Sequence, residues 1–218
     1  VTAPSSDGLE RTKVRRLPEK QVTERAALNA TLDAARIAHV AAIDADGQPY
    51  VLPVAFARDG EFLLMHGSTG SRLFRALAAG AATCVTVTIL DGLVLARSAF
   101  ESSMHYRSAM MFGSCEVVPQ HDVQRSLEVL TEHLMPGRWA QLRPPTAKEL
   151  AATTLLRMPI TEWSVKVSNG WPDDPVEDLH EPVWAGVLPI ESAFGVPQPA
   201  PDLEQPYDPP PYVALWRP

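Results

Sequence analysis

The sequence predicts a mainly antiparallel β fold with a few peripheral helices, and three observations carry that prediction. Three apolar runs follow one another between residues 37 and 66, separated only by short segments holding Asp46-Gly47 and Asp59-Gly60. Asp-Gly between apolar runs is a hairpin signal, so these runs form a meander; a parallel sheet would alternate strands with helices. A fourth run, residues 82–90 (Ala-Thr-Cys-Val-Thr-Val-Thr-Ile-Leu), alternates β-branched with other residues as a strand does. With the later runs the chain offers at least six strands, and a sheet of that size removes its edges by closing into a barrel.

Each element has its own signal. Residues 1–17 read as an irregular arm. Pro18 suits a helix start, and Val22, Ala26, Ala30 and Ala34, flanked by Leu28 and Leu32, predict a helix to about Arg36. Residues 37–43, 50–57 and 62–66 are the meander strands. Residues 71–79 are a short helix with Leu73, Phe74 and Leu77 on one side and Gly80 as its C-cap. Asp91-Gly92 marks a turn or bulge after the fourth strand, and residues 93–96 continue the ribbon. Residues 106–118 form a long strand with Gly113 as a candidate bulge. Residues 121–134 suit a helix, with Val123, Leu127, Leu130 and Leu134 on one face and Pro136-Gly137 ending it. A short helix is expected at 147–152 and a last strand at 155–167. From Gly170 on the chain is Pro-rich and weakly patterned, which predicts an extended surface or disordered tail and no second domain. The organisation is thus a basic arm (1–17), one domain (18–170) and an acidic tail (171–218).

Composition narrows the function classes. A chain of 218 residues buries one sizeable core. No apolar run approaches the roughly 20 residues that span a bilayer, and the polar N-terminal stretch has no secretion-signal core. Cys84 and Cys115 sit in apolar runs without metal-ligand spacing and read as reduced core thiols. A cytoplasmic protein is expected, with no membrane partner and no metal centre. The net charge of −7 argues against a nucleic-acid surface. Charge is uneven: residues 11–20 carry Arg11, Lys13, Arg15, Arg16 and Lys20, and residues 171–183 carry Asp173, Asp174, Glu177, Asp178 and Glu181. Both read as solvated segments, or as an arm that meets an acidic surface or a phosphate. Arg97 and Glu101 read as a loop pair, and His39 as a core or interface residue.

The strand-loop-helix stretch 62–75 (Phe-Leu-Leu-Met-His-Gly-Ser-Thr-Gly-Ser-Arg-Leu-Phe-Arg) is the strongest candidate for a site. A first helical turn offers backbone N–H groups and a positive dipole end to an anion. Ser68, Thr69 and Ser71 add hydroxyls, and Arg72 and Arg75 add charge. The same residues also make an ordinary loop with Ser71 as an N-cap.

Several segments together extend the reading. They are 47–54 (Gly-Gln-Pro-Tyr-Val-Leu-Pro-Val), 64–72, 91–100 (Asp-Gly-Leu-Val-Leu-Ala-Arg-Ser-Ala-Phe), 106–113 (Tyr-Arg-Ser-Ala-Met-Met-Phe-Gly), 136–139, Lys166 and 182–189. In order and spacing they resemble the pyridoxamine 5′-phosphate oxidase-related flavoproteins, in particular their nitroimidazole-resistance-like branch. The resemblance implies a six-stranded split β-barrel of the FMN-binding type, an FMN cofactor and a homodimer with sites at the interface. It implies oxidoreductase activity on a small molecule, such as a nitroaromatic or a vitamin B6 form. By position it implies that Val51, Leu52, Pro53 and Val54 run along the flavin ring. His66, Gly67, Ser68, Thr69, Ser71 and Arg72 would surround the phosphate. Tyr106, Arg107 and Ser108 would reach in from across the dimer, and Trp163 and Lys166 from the last strand. His66 and Tyr106 are the weak candidates for a catalytic role. His105 stands where relatives carry an amide residue. The tail is acidic where a B6 oxidase needs a basic substrate-phosphate site, so B6 oxidation is not expected. The alternatives are a flavin carrier or sensor without turnover, or a split barrel that uses F420 or haem.

Overall fold

The computed structural model describes residues 10–44, 46–205 and 207–216, so the expectations for residues 1–9 of the arm lie outside the described residues. Ten strands make up the sheet: β1 (Gln21–Val22), β2 (Ile37–Ile43), β3 (Pro49–Asp59), β4 (Phe62–Ser68), β5 (Ala82–Leu95), β6 (Ser103–Ser114), β7 (Glu116–Val117), β8 (Thr153–Pro159), β9 (Glu162–Ser168) and β10 (Gly186–Pro189). Their order is β1-β9-β6-β5-β2-β3-β4-β8-β7, with β10 added on β5, and every pairing is antiparallel. Four helices flank it: α1 (Arg25–Ala34), α2 (Arg72–Ala78), α3 (Val123–Leu134) and α4 (Ala147–Ala151). The mainly β class with peripheral helices stands, and the strands outnumber the six expected. Among the described residues no helix is long and apolar enough to cross a membrane.

The meander forms where its turn residues placed it. Gly47 and Gly60 adopt φ of 82° and 58°, which a side chain would disfavour. The Asp44 carboxylate accepts from the N–H groups of Asp46 and Gln48 and fixes the first turn. Ser71 caps α2 by accepting from Phe74 N–H. The irregularity of the long ribbon falls between Leu90 and Gly92, while Gly113 sits in regular register opposite Thr83.

Three expectations need correction. The first helix starts at Arg25, because Pro18–Lys20 is a 3-10 turn and Gln21–Val22 pair with Lys166 and Val165 of β9. The expected strand 155–167 is two strands. Pro159 lacks an N–H to continue the ladder, and Ile160 N–H bonds Glu61 O at 2.8 Å. β8 therefore stays beside β4 while β9 pairs with β6. Two strands adjacent in the chain thus stand near opposite ends of the sheet order, and the corner at 160–161 draws those ends together into a split barrel. The expected strand 106–118 likewise ends at Ser114, and 116–117 pair with β8.

Alternation along β4 sorts the core into two parts. Leu63 and Met65 point into the barrel with Leu28, Leu32, Phe56 and Met111. Leu64 faces the other way, into a smaller cluster with Ala57, Val118, Leu130 and Leu155 under α3. By the same period His66 belongs to the α3 face.

The arm and the tail bind the barrel separately. Arg11 pairs with Glu162, and Lys166 Nζ donates to Arg16 O at 3.1 Å, so the arm runs along β9. In the tail, β10 pairs with residues 92–95 of β5, so this part of the expected extended or disordered tail is an added strand. The carboxylate of Asp174, 1% exposed, accepts from Arg97 N–H and Arg97 Nη1, both at 2.8 Å. The loop partner of Arg97 is therefore Asp174 and not Glu101. Asp174→Ala removes a charge-assisted bond worth about 1.5–3 kcal/mol. Limited proteolysis is expected to cut the variant within 171–185 faster than wild type, and equal rates would show that Asp174 does not hold the tail.

Candidate functional site

The barrel opens between β3 and β4. These strands pair only over Phe56–Asp59 and residues 62–65. Beyond that point β3 residues 49–55 pair only with β2, and β4 residues 66–68 only with β8. The two strands diverge, and one edge of β3 is left without a ladder partner. Val51 and Leu52 on that stretch are 55% and 44% exposed, Pro53 is also exposed, and Val54 is buried.

The loop from β4 to α2 borders this opening. Several of its amides are already engaged: Thr69 N–H with Ala152 O, Gly70 N–H with Ser68 Oγ, Ser71 N–H with Ser68 O, and Phe74 N–H with Ser71 Oγ. The donors left to an anion are chiefly the hydroxyl hydrogens of Ser68, Thr69 and Ser71 and the Arg72 guanidinium. Arg72 lies over the Tyr50 ring at 4.5 Å and 3.6 Å from the Asp44 carboxylate. The Tyr50 hydroxyl is buried and has no hydrogen-bond partner among the described residues. Gly67 lies against the Phe74 ring, which occupies the place of a side chain there.

The other expected residues form a second group. Tyr106, Arg107 and Ser108 lie on β6, with Ser108 opposite Lys166. Arg107 Nε and Nη2 donate to both oxygens of Asp91 at 2.8 and 2.7 Å, and this holds the Asp91 carboxyl below its usual range. His105 Nε2 contacts Gly170 O at 2.8 Å, which ties the start of β6 to the tail. Trp163, 3% exposed, belongs to the barrel core. β2 and β5 stand between β3 and β6, so the two groups are three strand spacings apart, about 14 Å.

The Arg107–Asp91 pair predicts a pH effect. A depressed folded pKa contributes stability above the unfolded value, and that contribution is lost as pH falls through the folded one. Arg107→Met is therefore expected to lower the melting temperature near neutrality. The gap to wild type should close below about pH 4, the ordinary Asp value. The effect is small because both side chains are about one-third exposed. A gap that persisted into acid would show that the pair is not its source.

A cleft of about 420 Å³ lies on the α3 face, with His66 at one wall and Leu127, Trp139, Leu142 and Leu150 around it. His66 is exposed overall, and the partial burial of its ring against the cleft lowers its pKa below the ordinary imidazole value. The alternation of β4 put His66 on the outer face, but the cleft itself depends on the 136–145 segment folding back from α3, which no local pattern shows. His39 was expected in a core or interface. It is exposed, on a strand whose Ile37 and Ile43 are 55% and 63% exposed. Among the described residues no three His, Cys, Asp or Glu converge as ligands of a free metal ion.

Comparison with known proteins gives the family of this fold. The family model described as pyridoxamine 5′-phosphate oxidase matches residues 24–167. The FAD and haem binding protein from Mycobacterium smegmatis is 47% identical, with a TM-score of 0.87 over 91% of this chain and 97% of that one. The flavocytochrome Anf3 from Azotobacter vinelandii is 38% identical, with a TM-score of 0.88 over 96% and 97%. A Bacteroides thetaiotaomicron structure assigned to 5-nitroimidazole antibiotic resistance is 20% identical at a TM-score of 0.57, covering 67% of this chain and 86% of that one; it shares the fold. No curated protein sequence matches the chain.

Proposed function

The chain belongs to the pyridoxamine 5′-phosphate oxidase family, and from that premise we propose that it is a flavin-dependent redox protein that also carries a haem. The observation that carries the flavin reading is the free edge of β3 at 49–55 beside the loop of Ser68, Thr69, Ser71 and Arg72. Unpaired backbone N–H and C=O groups need partners, and the polar edge of a flavin ring supplies them. Exposed Val51 and Leu52 gain by being covered. Arg72 and the hydroxyls give charge-assisted and neutral donors to a phosphate. Bound flavin supplies hydride and single-electron chemistry, and the protein supplies position and shelter from water.

FAD is favoured over the FMN expected from sequence, because the 47% identical relative is described as binding FAD and haem. The acidic stretch around Asp173, Asp174 and Glu177 speaks against a phosphorylated B6 substrate. We place the second half of the flavin site on another copy of this chain. The β3 and β6 groups stand three strands apart in the sheet of one protomer, and the outer sheet face exposes Ile37, Ile43, Leu90 and Met104, which another copy would cover. Free Cys84 and Cys115 suit the reducing cytoplasm.

The test is the visible spectrum of freshly purified protein, with the released cofactors identified by mass. Flavin bands with an FAD mass and a Soret band support the proposal. FMN without a Soret band returns to the simpler flavoprotein, and an F420 mass replaces it. Colourless protein that takes up no added flavin overturns it. Light scattering is expected to give twice the chain mass, and a monomer would remove the shared site.

A further inference from the structure

We propose that the acidic strap at residues 171–185 of one copy docks on the basic arm at residues 11–20 of a second copy, so that a pair of chains is clasped twice. The inference rests on the two-copy reading above and adds the segments that meet. Lys13, Arg15 and Arg16 of the arm are exposed. Lys166 Nζ donates to Arg16 O, and Lys20 Nζ donates to Ser168 Oγ, both at 3.1 Å. Among the described residues no carboxylate pairs with Lys13, Arg16, Lys20 or Lys166. The arm thus concentrates positive charge on a chain whose net charge is −7.

The strap carries the opposite sign and a second feature. Asp173, Glu177, Asp178 and Glu181 pair with no cation among the described residues. Between and beside them, Trp171, Val176 and Trp184 are 79%, 76% and 67% exposed. Exposed indoles grouped on one segment mark a surface that another protein covers. Flanking carboxylates say which kind of surface. Ammonium and guanidinium groups bond the carboxylates and lie favourably over the indole faces. Leu17, exposed between Arg16 and Lys20, gives the arm an apolar point of its own.

Within one chain the two surfaces are held apart. Arg11 pairs with Glu162, and β1 pairs with β9, so the arm is fixed along β9. The strap is fastened at both ends, by Asp174 on Arg97 and by β10 on residues 92–95 of β5. β6 separates β5 from β9, so these anchors stand two strand spacings from the strand of the arm, about 10 Å. A foreign polyanion would satisfy the arm and leave the strap bare. A second copy brings both complements at once, and two-fold symmetry makes the contact twice.

The experiment uses two full-length variants, Lys13→Glu/Arg16→Glu/Lys20→Glu and Asp173→Lys/Glu177→Lys/Glu181→Lys. Each alone sets like charges against each other, so its dimer dissociation constant at low salt should rise roughly tenfold or more, and added salt should narrow the gap to wild type. An equimolar mixture is then read by native mass spectrometry after subunit exchange. In a mixed pair both contacts regain opposite charges, so mixed dimers should rise well above the statistical half. A mixture that stays at the statistical half overturns the exchange, as do variants that each dimerise like wild type. Wild type supplies a check free of any folding defect. Copies labelled with light and heavy nitrogen are mixed and joined by carbodiimide. Bonds between Lys13 or Lys20 and the strap carboxylates should link light to heavy peptides, and links confined to one isotope overturn the proposal. A monomeric wild type overturns the two-copy reading as well, whereas a dimer with statistical mixing keeps that reading and removes only the exchange.

Discussion

Trp163→Ala is expected to cost about 3–5 kcal/mol of folding stability, the range for removing a large aromatic from a packed core. At roughly 2–4 °C per kcal/mol for a chain of this size, the melting temperature should fall by about 10 °C. Trp163 is 3% exposed, and it stands opposite Met111, itself fully buried, across the β6–β9 ladder. The family resemblance suggested instead that this residue lies near the flavin ring. The two roles separate cleanly. A core residue lowers stability and leaves flavin per folded molecule unchanged, whereas a ring contact lowers flavin affinity at little cost in stability. Thermal melts of the flavin-loaded and flavin-stripped variant decide between them, because a ligand contact would show only in the loaded form.

Trp163 shows how much of this protein is legible in its sequence. The β8 and β9 residues read as one strand, since the apolar run is continuous and neither Pro159 nor Thr161 is a strong turn signal. Which strand each half pairs with depends on partners about a hundred residues away in the case of β4, and local pattern does not carry that. The helix start failed for the same reason, since Gln21–Val22 fall inside the helix expected from Pro18 but pair with the edge of β9. The Asp-Gly turns, the Ser71 cap and the alternation of β5 were legible because each is decided within a few residues. In the candidate site the residue types were visible: hydroxyls and Arg72 in one loop. The engagement of Thr69 N–H by Ala152 O was not, because the acceptor enters from the end of α4. The α3-face cleft was invisible for a similar reason, since its walls come from β4, α3, α4 and the segment between the two helices.

Arg72→Ala is expected to weaken flavin binding about tenfold to 150-fold, which corresponds to losing one hydrogen bond to a charged group, about 1.5–3 kcal/mol. The fold should barely notice. The side chain is 65% exposed, its pairing with Asp44 is long at 3.6 Å, and exposed substitutions of this kind stay within about 0.5 kcal/mol. Arg72→Lys should recover part of the affinity, since lysine keeps the charge but cannot grip a phosphate with two parallel donors. Salt adds an independent check. Raising ionic strength should weaken flavin binding in wild type more than in Arg72→Ala, because screening acts on the charge that the variant has lost. The measurement is fluorescence titration of the stripped protein with flavin at two salt concentrations. With most of the nearby loop amides bonded within the protein, Arg72 is the main charged donor left at the free edge of β3. Equal affinities in wild type and Arg72→Ala would therefore remove the phosphate from this loop. The assignment would then move to the cations beside β6 and β9, where Lys166 Nζ donates to the backbone of the arm at Arg16 O.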